Sequence, residues 1–312
     1  MPPSTSSLAP RPAAARPRIA VVVDRVDWHA RELARAFTAR GATSIPVKLP
    51  LCRIETAHPL GIIIPGFEDG LPDAVLVRGM AGGTFEAVTL RLGVLHALRE
   101  LGVPVWNDAR AIERCVDKSM TSFRLARAGV PTPATWATES REAALAIARR
   151  ECAQGPLVLK PLFGSQGRGL RLIRSAEELP EPAAGVYYLQ RFMGVERDGF
   201  RDFRLLVSRG RVVASMVRHA ATWITNVKQG GRPLAAVVDA EVKDLAVRAT
   251  AAVGADFAGV DILFGPDGAP TVLEVNSMPA WSGLQKVTPT NIADVIAGDL
   301  MAALARADHA PA

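Results

Sequence analysis

The chain has 312 residues, 49% hydrophobic and 22% charged, so it can bury a core, and wholesale disorder is excluded. No apolar run approaches the ~18 residues a spanning helix needs, which excludes an integral helical membrane protein. The net charge is +6, but 31 Arg and only 6 Lys are spread along the whole length and aromatics are 5%. With no basic run and no base-stacking platform, an anionic small substrate suits the charge at least as well as nucleic acid.

Residues 1–17 are rich in Pro, Ser and Ala, with Arg11 and Arg16, and lack an apolar segment. They read as a disordered tail rather than a secretory signal, and the expected location is the cytoplasm. Next, residues 18–24 form a short continuous apolar run, as expected of a strand buried on both faces of a parallel sheet. A helix follows over 29–40, closed by Gly41. The run 73–78 reads as a strand, 84–101 as a helix closed by Gly102, and 103–106 as a short strand. This alternation predicts a small doubly wound α/β unit over 18–106.

From Asn107 the texture changes. A helix over 119–128 ends at Gly129, and Pro131 and Pro133 break the chain. Strands over 157–160 and 170–173 flank Pro161 to Gly169, predicting a hairpin with a long glycine-rich connection. Further on, 202–208 and 211–219 pair around Arg209-Gly210, a helix spans 239–253, and 258–264 pairs with 271–276 around 265–268. A last helix covers 291–305. Cys52, Cys115 and Cys152 lie far apart and match no metal spacing, so they read as reduced thiols.

The chemistry concentrates in the last hairpin. Its turn centres on Asp267-Gly268, so facing residues sum to about 535, which sets Asp261 opposite Glu274, with Cβ atoms ~5 Å apart. Asn276 lies two residues on, hence on the same face. Two carboxylates and an amide oxygen make a hard oxygen site of the kind Mg²⁺ prefers; the alternative is a polar, wet sheet face. Carboxylates among such apolar neighbours are costly unless paired or bound to metal.

In the glycine-rich loop, Gly164, Gly167 and Gly169 let backbone amides approach an anion and Arg168 adds charge, although a flexible tip is an equal reading. Lys160 precedes that loop and Lys118 opens a helix; each suits phosphate as a point charge or stands as a surface residue. Arg204 and Arg218 sit on paired strands, where a guanidinium could clamp a phosphoryl group or a carboxylate, or simply decorate the sheet. His219, alone after an arginine, reads as structural.

With these residues in place the chain resembles the ATP-grasp carboxylate–amine ligases of the RimK type. The matching pieces are Asp117-Lys118, the segment from Lys160 to Gly169, Arg201 to Arg204, Asn226 with Gln229 to Arg232, Gly259 to Ile262 and Leu273 to Ser277. The segments 222–232, 279–284 and 291–294 look most like the tetrahydromethanopterin α-L-glutamate ligases.

The resemblance implies an ATP-grasp fold: an N-terminal α/β subdomain over 18–106, a central one over 107–185 and a C-terminal one over 186–312. It implies that Lys118 and Lys160 contact ATP phosphates, and that the loop Gly164, Ser165, Gln166, Gly167, Arg168 and Gly169 closes over them. Gln190, Arg191, Phe192 and Met193 would pass the adenine, with Asn226 also on the nucleotide and Glu196 a candidate adenine-side acid. Asp261, Glu274 and Asn276 would hold Mg²⁺, or Mn²⁺ in its place, while Arg218, Arg204 and Lys160 serve the transfer.

The implied reaction phosphorylates a carboxylate with ATP and passes the acyl group to an amine. L-glutamate and a pterin coenzyme precursor are the expected partners. A furan or deazaflavin coenzyme, a protein C-terminus, or nucleotide binding without catalysis are the alternatives. Family members often form dimers or tetramers, so the resemblance also implies a homo-oligomer as an expectation. Asp24, Trp28, His29 and Arg78 would help bind the acceptor, Arg78 standing at the C-terminal edge of a strand where open α/β sheets bind ligands.

Overall fold

The computed structural model describes residues 16–164, 166–195 and 199–307. The expected tail therefore lies outside the described residues except at its end, where the Pro17 carbonyl already accepts a hydrogen bond from Thr43 N at 2.8 Å.

The N-terminal unit is built from β1 (Arg18–Val22), α1 (Trp28–Ala39), β2 (Thr43–Val47), the short pair β3 (Arg53–Ile54) and β4 (Ile62–Ile63), β5 (Ala74–Val77), α2 (Phe85–Glu100) and β6 (Val105–Trp106). Its sheet is parallel, in the order β2-β1-β5-β6. The apolar run of β1 needs two covers, because successive side chains point to opposite faces. Ile19 and Val21 pack with α1, while Ala20 and Val22 pack with α2. Asp27 caps α1 by accepting from Ala30 N at 3.0 Å, and Gly41 closes it at φ +74°.

Next come α3 (Ala109–Val116), α4 (Lys118–Arg127), β7 (Thr135–Thr138), α5 (Arg141–Cys152), β8 (Leu157–Lys160), β9 (Arg171–Ile173) and β10 (Tyr187–Arg191). The central sheet is antiparallel, in the order β7-β10-β8-β9. Helix α5 covers it through Ala144 and Ala148, against Leu157, Leu159 and Leu189. Because β10 sits between β7 and β8, the expected boundary at 186 cuts this sheet and must move beyond Arg191. The start at 107 shifts as well, since Cys115 and Leu125 of α3 and α4 belong to the C-terminal core.

The C-terminal unit holds β11 (Phe200–Ser208), β12 (Arg211–Ala220), β13 (Arg232–Ala235), α6 (Ala240–Val253), β14 (Phe257–Phe264), β15 (Pro270–Asn276), α7 (Ser282–Gln285) and α8 (Ile292–Ala307). Its five antiparallel strands run β13-β12-β11-β14-β15. One face packs on α6 through Leu205, Val260, Ile262, Val272 and Val275. Elsewhere Leu206, Ala214 and Met216 share a core with α8 and with Ile19, Leu33 and Phe37 of the first unit.

Val272 and Val275 both face α6 although three residues apart. A bulge between Asp261 and Ile262 leaves Leu273 unpaired and absorbs the extra residue. The other face of this hairpin, carrying Asp261, Glu274 and Asn276, is thereby turned toward the central sheet.

Candidate active site

The functional face grows from the strand register. Asp261 stands opposite Glu274, as expected, and Asn276 lies opposite Gly259. The pairs nearer the turn, such as Ile262 with Val272, run one residue short of that register, and the bulge after Asp261 brings Glu274 into place. On the other side of β14, Arg204 of β11 faces Asp261; one strand further, Arg218 of β12 faces Asp202.

These positions form a ladder of alternating charge. Arg204 holds Asp261 in a fork, Nε to Oδ1 at 2.7 Å and Nη2 to Oδ2 at 2.6 Å. Arg218 donates to both oxygens of Asp202, by Nε at 2.7 Å and by Nη2, and its Nη2 also lies 3.1 Å from Asp261 Oδ2. Asp202, Asp261 and Arg218 are all buried, so each charge depends on its neighbours. Burial raises the carboxyl pKa of Asp261, but Arg204 and then Arg218 outweigh it and hold the group below the usual carboxylate range. Arg218 stays firmly cationic, because Asp261 and Asp202 more than offset its burial.

Asp202 is a residue the sequence reading did not single out. Glu274 is different from its neighbours: among the described residues its carboxylate makes no hydrogen bond or ion pair. The Asn276 amide nitrogen is likewise buried without a partner.

Facing this ladder is the end of β8. Lys160 Nζ donates to Gln190 Oε1 at 2.5 Å, and burial draws its pKa down to about 8 while Glu274 pulls the other way. Lys118, whose pKa burial also lowers, donates from Nζ to the carbonyls of Leu162 at 3.1 Å and Gly164 at 2.9 Å. It therefore anchors the root of the glycine-rich loop.

The loop is folded against residues 224–231. Gly167, at φ +70°, could carry no side chain here, since a Cβ would lie 2.6 Å from Asn226 Oδ1 and 2.7 Å from Ile224 Cγ2. Gln229 Nε2 donates to the Gln166 carbonyl at 3.3 Å. Gly169, at φ +73°, is nearly as tight, since a Cβ there would lie 2.9 Å from Pro161 Cγ, and Arg168 is exposed. Ser165 and Glu196 lie outside the described residues.

The segment 190–193 divides its labour. The Gln190 side chain is committed to Lys160, Thr135 and Tyr188, and Arg191 is tied to Glu151 and to the carbonyls of Glu151 and Gly155. Phe192 meets Trp223 edge-on, with centroids 5.8 Å apart. Beside them lies a cavity of about 290 Å³ lined by Met193, Phe203, Trp223, Phe264 and Leu273. A second cavity of about 110 Å³ runs from Val158 and Phe192 down to Arg218, Asp261 and Glu274. Leu263 and Leu273 were given no role by the sequence reading because apolar side chains on strands look like core, and Trp223 because it lies in the irregular connection between β12 and β13.

On the far side of Glu274 opens a chamber of about 530 Å³, walled by Asp24, Arg78 and Met80 of the first unit and by Glu274, Asn276 and Met278 of the last. Of the four residues expected there, two are spent elsewhere. Trp28 packs in the shared core. His29 is buried: its Nδ1 meets Asp27 Oδ2 at 3.0 Å, and its Nε2 accepts from Trp281 N at 3.1 Å and Ser282 N at 3.2 Å. That imidazole is a structural clasp; Asp24 and Arg78 remain in the chamber wall.

Residues 115–300 match the RimK-like ATP-grasp domain. The tetrahydromethanopterin:alpha-L-glutamate ligase of Methanosarcina acetivorans is 31% identical over 316 residues, spanning 88% of this chain and 95% of that protein. Its namesake from Methanocaldococcus jannaschii is 37% identical over 235 residues, spanning 71% and 77%. Among solved structures, the RimK domain protein from Sphaerobacter thermophilus superposes with TM-score 0.68 at 25% identity, covering 90% of this chain and 98% of that one. The ATP-grasp ligase PsnB, complexed with a phosphomimetic variant of its minimal precursor, Mg and ADP, gives TM-score 0.72 at 24% identity, covering 92% and 98%, a likeness of fold. The chain thus belongs to the RimK-like ATP-grasp family and is an ATP-dependent carbon–nitrogen ligase.

Proposed function

We propose that the protein phosphorylates a carboxylate of a tetrahydromethanopterin-type pterin with ATP and then joins that carboxylate to the amino group of L-glutamate. The carrying observation is Glu274, an unpaired carboxylate in the wall common to the cleft that runs down from Phe192 and the large chamber. A group there can meet a phosphate from one side and a carboxylate from the other. The reading of glutamate and pterin is supported by the named relatives.

The donor set fits magnesium, being all hard oxygens. Glu274 and Asn276 are free of side-chain partners and would hold the ion first; Asp261 joins by sharing oxygens now bound to Arg204 and Arg218. Bound magnesium would neutralise charge on the phosphoryl oxygens. Lys160 and Lys118 supply cationic points along the phosphates, and the loop from Gly164 to Gly169, with Asn226 beneath it, excludes water. With the side chains of Gln190 and Arg191 engaged, and Arg191 N and Phe192 N bonded to the carbonyls of Ala134 and Pro156, the chain at Met193 and the side chains of Phe192 and Met193 are left for the adenine. Arg218 and Arg204 keep positive charge beside the transfer.

In the first step a carboxylate oxygen attacks the γ-phosphorus and the bond to ADP breaks. In the second the neutral amine attacks the carbonyl carbon, phosphate leaves with the C–O electron pair, and the surplus proton of the nitrogen passes to the departing phosphate or to water. Positioning and charge neutralisation suffice, with no protein nucleophile. The test is trapping of the acyl phosphate by hydroxylamine: Mg-ATP and pterin should yield a pterin hydroxamate and ADP with wild type, and none with a folded Glu274→Gln variant. Full hydroxamate yield from Glu274→Gln would refute the assignment.

A further inference from the structure

The second step needs a site for the incoming amine, and the chamber offers few anions to hold it. Its wall contains two carboxylates, Glu274 and Asp24. Glu274 is occupied once a cation binds, which leaves Asp24. This carboxylate is exposed and makes no hydrogen bond or ion pair among the described residues. It lies against the Gly79 backbone, 3.7 Å from where a Cβ would stand on that residue.

Arg78 is the next residue back along the chain. The parallel pairing of β1 with β5 brings the two together, since Arg78 N bonds the Val22 carbonyl at 2.9 Å. Its guanidinium lies over the Trp281 ring, 5.1 Å from the centroid, and its Nη1 reaches the Met278 carbonyl at only 3.3 Å. Its Nε is buried with no partner at all.

A guanidinium held so firmly and bonded so sparsely is set for a planar anion. Asp27, the other nearby acid, is committed to the cap of α1 and to His29. Asp24 and Arg78 feel each other's charge, yet no ion pair joins them, so each head is available to a third group.

Resting on the ligase reading above, we propose that Asp24 and Arg78 bind the zwitterionic head of the amino-acid substrate, Asp24 taking its ammonium and Arg78 its α-carboxylate. A carboxylate acceptor fits this pair poorly, because Asp24 would repel it. The pair presents the amine inside the chamber that Glu274 and Asn276 also line, where the activated carboxylate arrives. Selection for an amino acid thus comes from two adjacent strand ends of the N-terminal unit.

The test compares Asp24→Asn, Arg78→Lys and Arg78→Gln with wild type in the full chain. Labelled L-glutamate is measured by equilibrium dialysis with a non-hydrolysable ATP analogue and Mg²⁺, beside glutarate, which lacks the amine. Wild type should prefer L-glutamate over glutarate, and each variant should weaken glutamate binding tenfold or more while binding the ATP analogue as wild type does. In turnover with the pterin, KM for L-glutamate should rise tenfold or more and KM for the pterin stay within twofold.

Arg78 packs on Trp281, so its variants also report packing; Asp24 is exposed, and its variant isolates the binding role. Unchanged glutamate binding in Asp24→Asn, or a rise in pterin KM alone, would overturn the proposal, as would a wild type that binds no glutamate. A wild type that binds glutamate but never glutamylates the pterin would refute the pterin reading instead, and the dialysis comparison would still decide the pair.

Discussion

Four buried or half-buried charges, Arg218, Asp202, Arg204 and Asp261, sit on three adjacent strands at positions dictated by register. Removing one leaves its partner charged in a poor solvent. Asp202→Ala should therefore lower unfolding free energy by about 2–3 kcal/mol in urea denaturation, less than a full break because Arg218 keeps Asp261. The tight turn at Arg209-Gly210 makes facing residues of that earlier hairpin sum to about 419, which would set Asp202 against Val217. A register shift between Leu206 and Val207 sets it against Arg218 instead. Neither that shift nor the bulge at Leu273 was legible in the sequence: one unpaired residue inside an apolar run leaves no mark on composition, and the second is what keeps both valines of β15 on the α6 face.

A second acid behaves differently. Burial pushes the Asp256 carboxyl up to about 6, with Arg99 drawing it down and Asp108 pushing it up. A carboxyl with a raised folded pKa binds its proton more tightly when folded, so stability falls as pH rises from about 4 to about 6. Asp256→Asn should remove that slope and gain roughly 1–3 kcal/mol at pH 7, read from melting curves across pH. An unaltered slope would show that the carboxyl titrates normally.

Among elements, the glycine-rich connection is the one whose sequence carries both its shape and its use. Gly167 is required by backbone sign and by the side chains of Asn226 and Ile224. Gly167→Ala should hold the loop away and raise the KM for ATP about tenfold, roughly 1.4 kcal/mol, with melting temperature nearly unchanged because the loop lies outside the cores. Asn107 shows the opposite economy. Its buried amide donates to the carbonyls of Phe257 and Ser277 at 2.7 and 2.5 Å and accepts from Asp256 N and Phe257 N at 2.7 and 3.1 Å, tying the linker to the base of the acidic hairpin. Asn107→Ala should cost about 2–4 kcal/mol in denaturation.

Helix α5 and strand β10 were not legible in advance. The buried side of α5 includes Ala144 and Ala148, too small for a strong apolar stripe, and β10 lies between two strands, so its run from Tyr187 to Gln190 is buried throughout and shows no alternation.

At the scale of the molecule, the N-terminal and C-terminal units share one core through α1 and α8, and His29 clasps them by accepting from Trp281 and Ser282. Burial, helped by Arg78, holds the His29 pKa below its usual value against Asp27. A depressed folded pKa means that the unfolded chain binds the proton first, so this stability is present above pH 6.5 and lost as pH falls below it. His29→Gln should flatten that acid limb in pH-dependent melting. The alternating α/β opening, the loop and the last hairpin were readable because local spacing defines them. The chamber was not, because its walls come from positions some 250 residues apart, such as Asp24 and Glu274, and only the clasped core brings them together.

The most direct measurement is mass spectrometry of a reduced methanopterin-type pterin after incubation with the full-length protein, Mg-ATP and L-glutamate. The expected result is one or more glutamyl mass increments that require both ATP and glutamate and appear with matching ADP. ADP release with an unmodified pterin would contradict the pterin assignment, and no ADP release with any carboxylate, in a protein that binds ATP, would contradict the ligase itself.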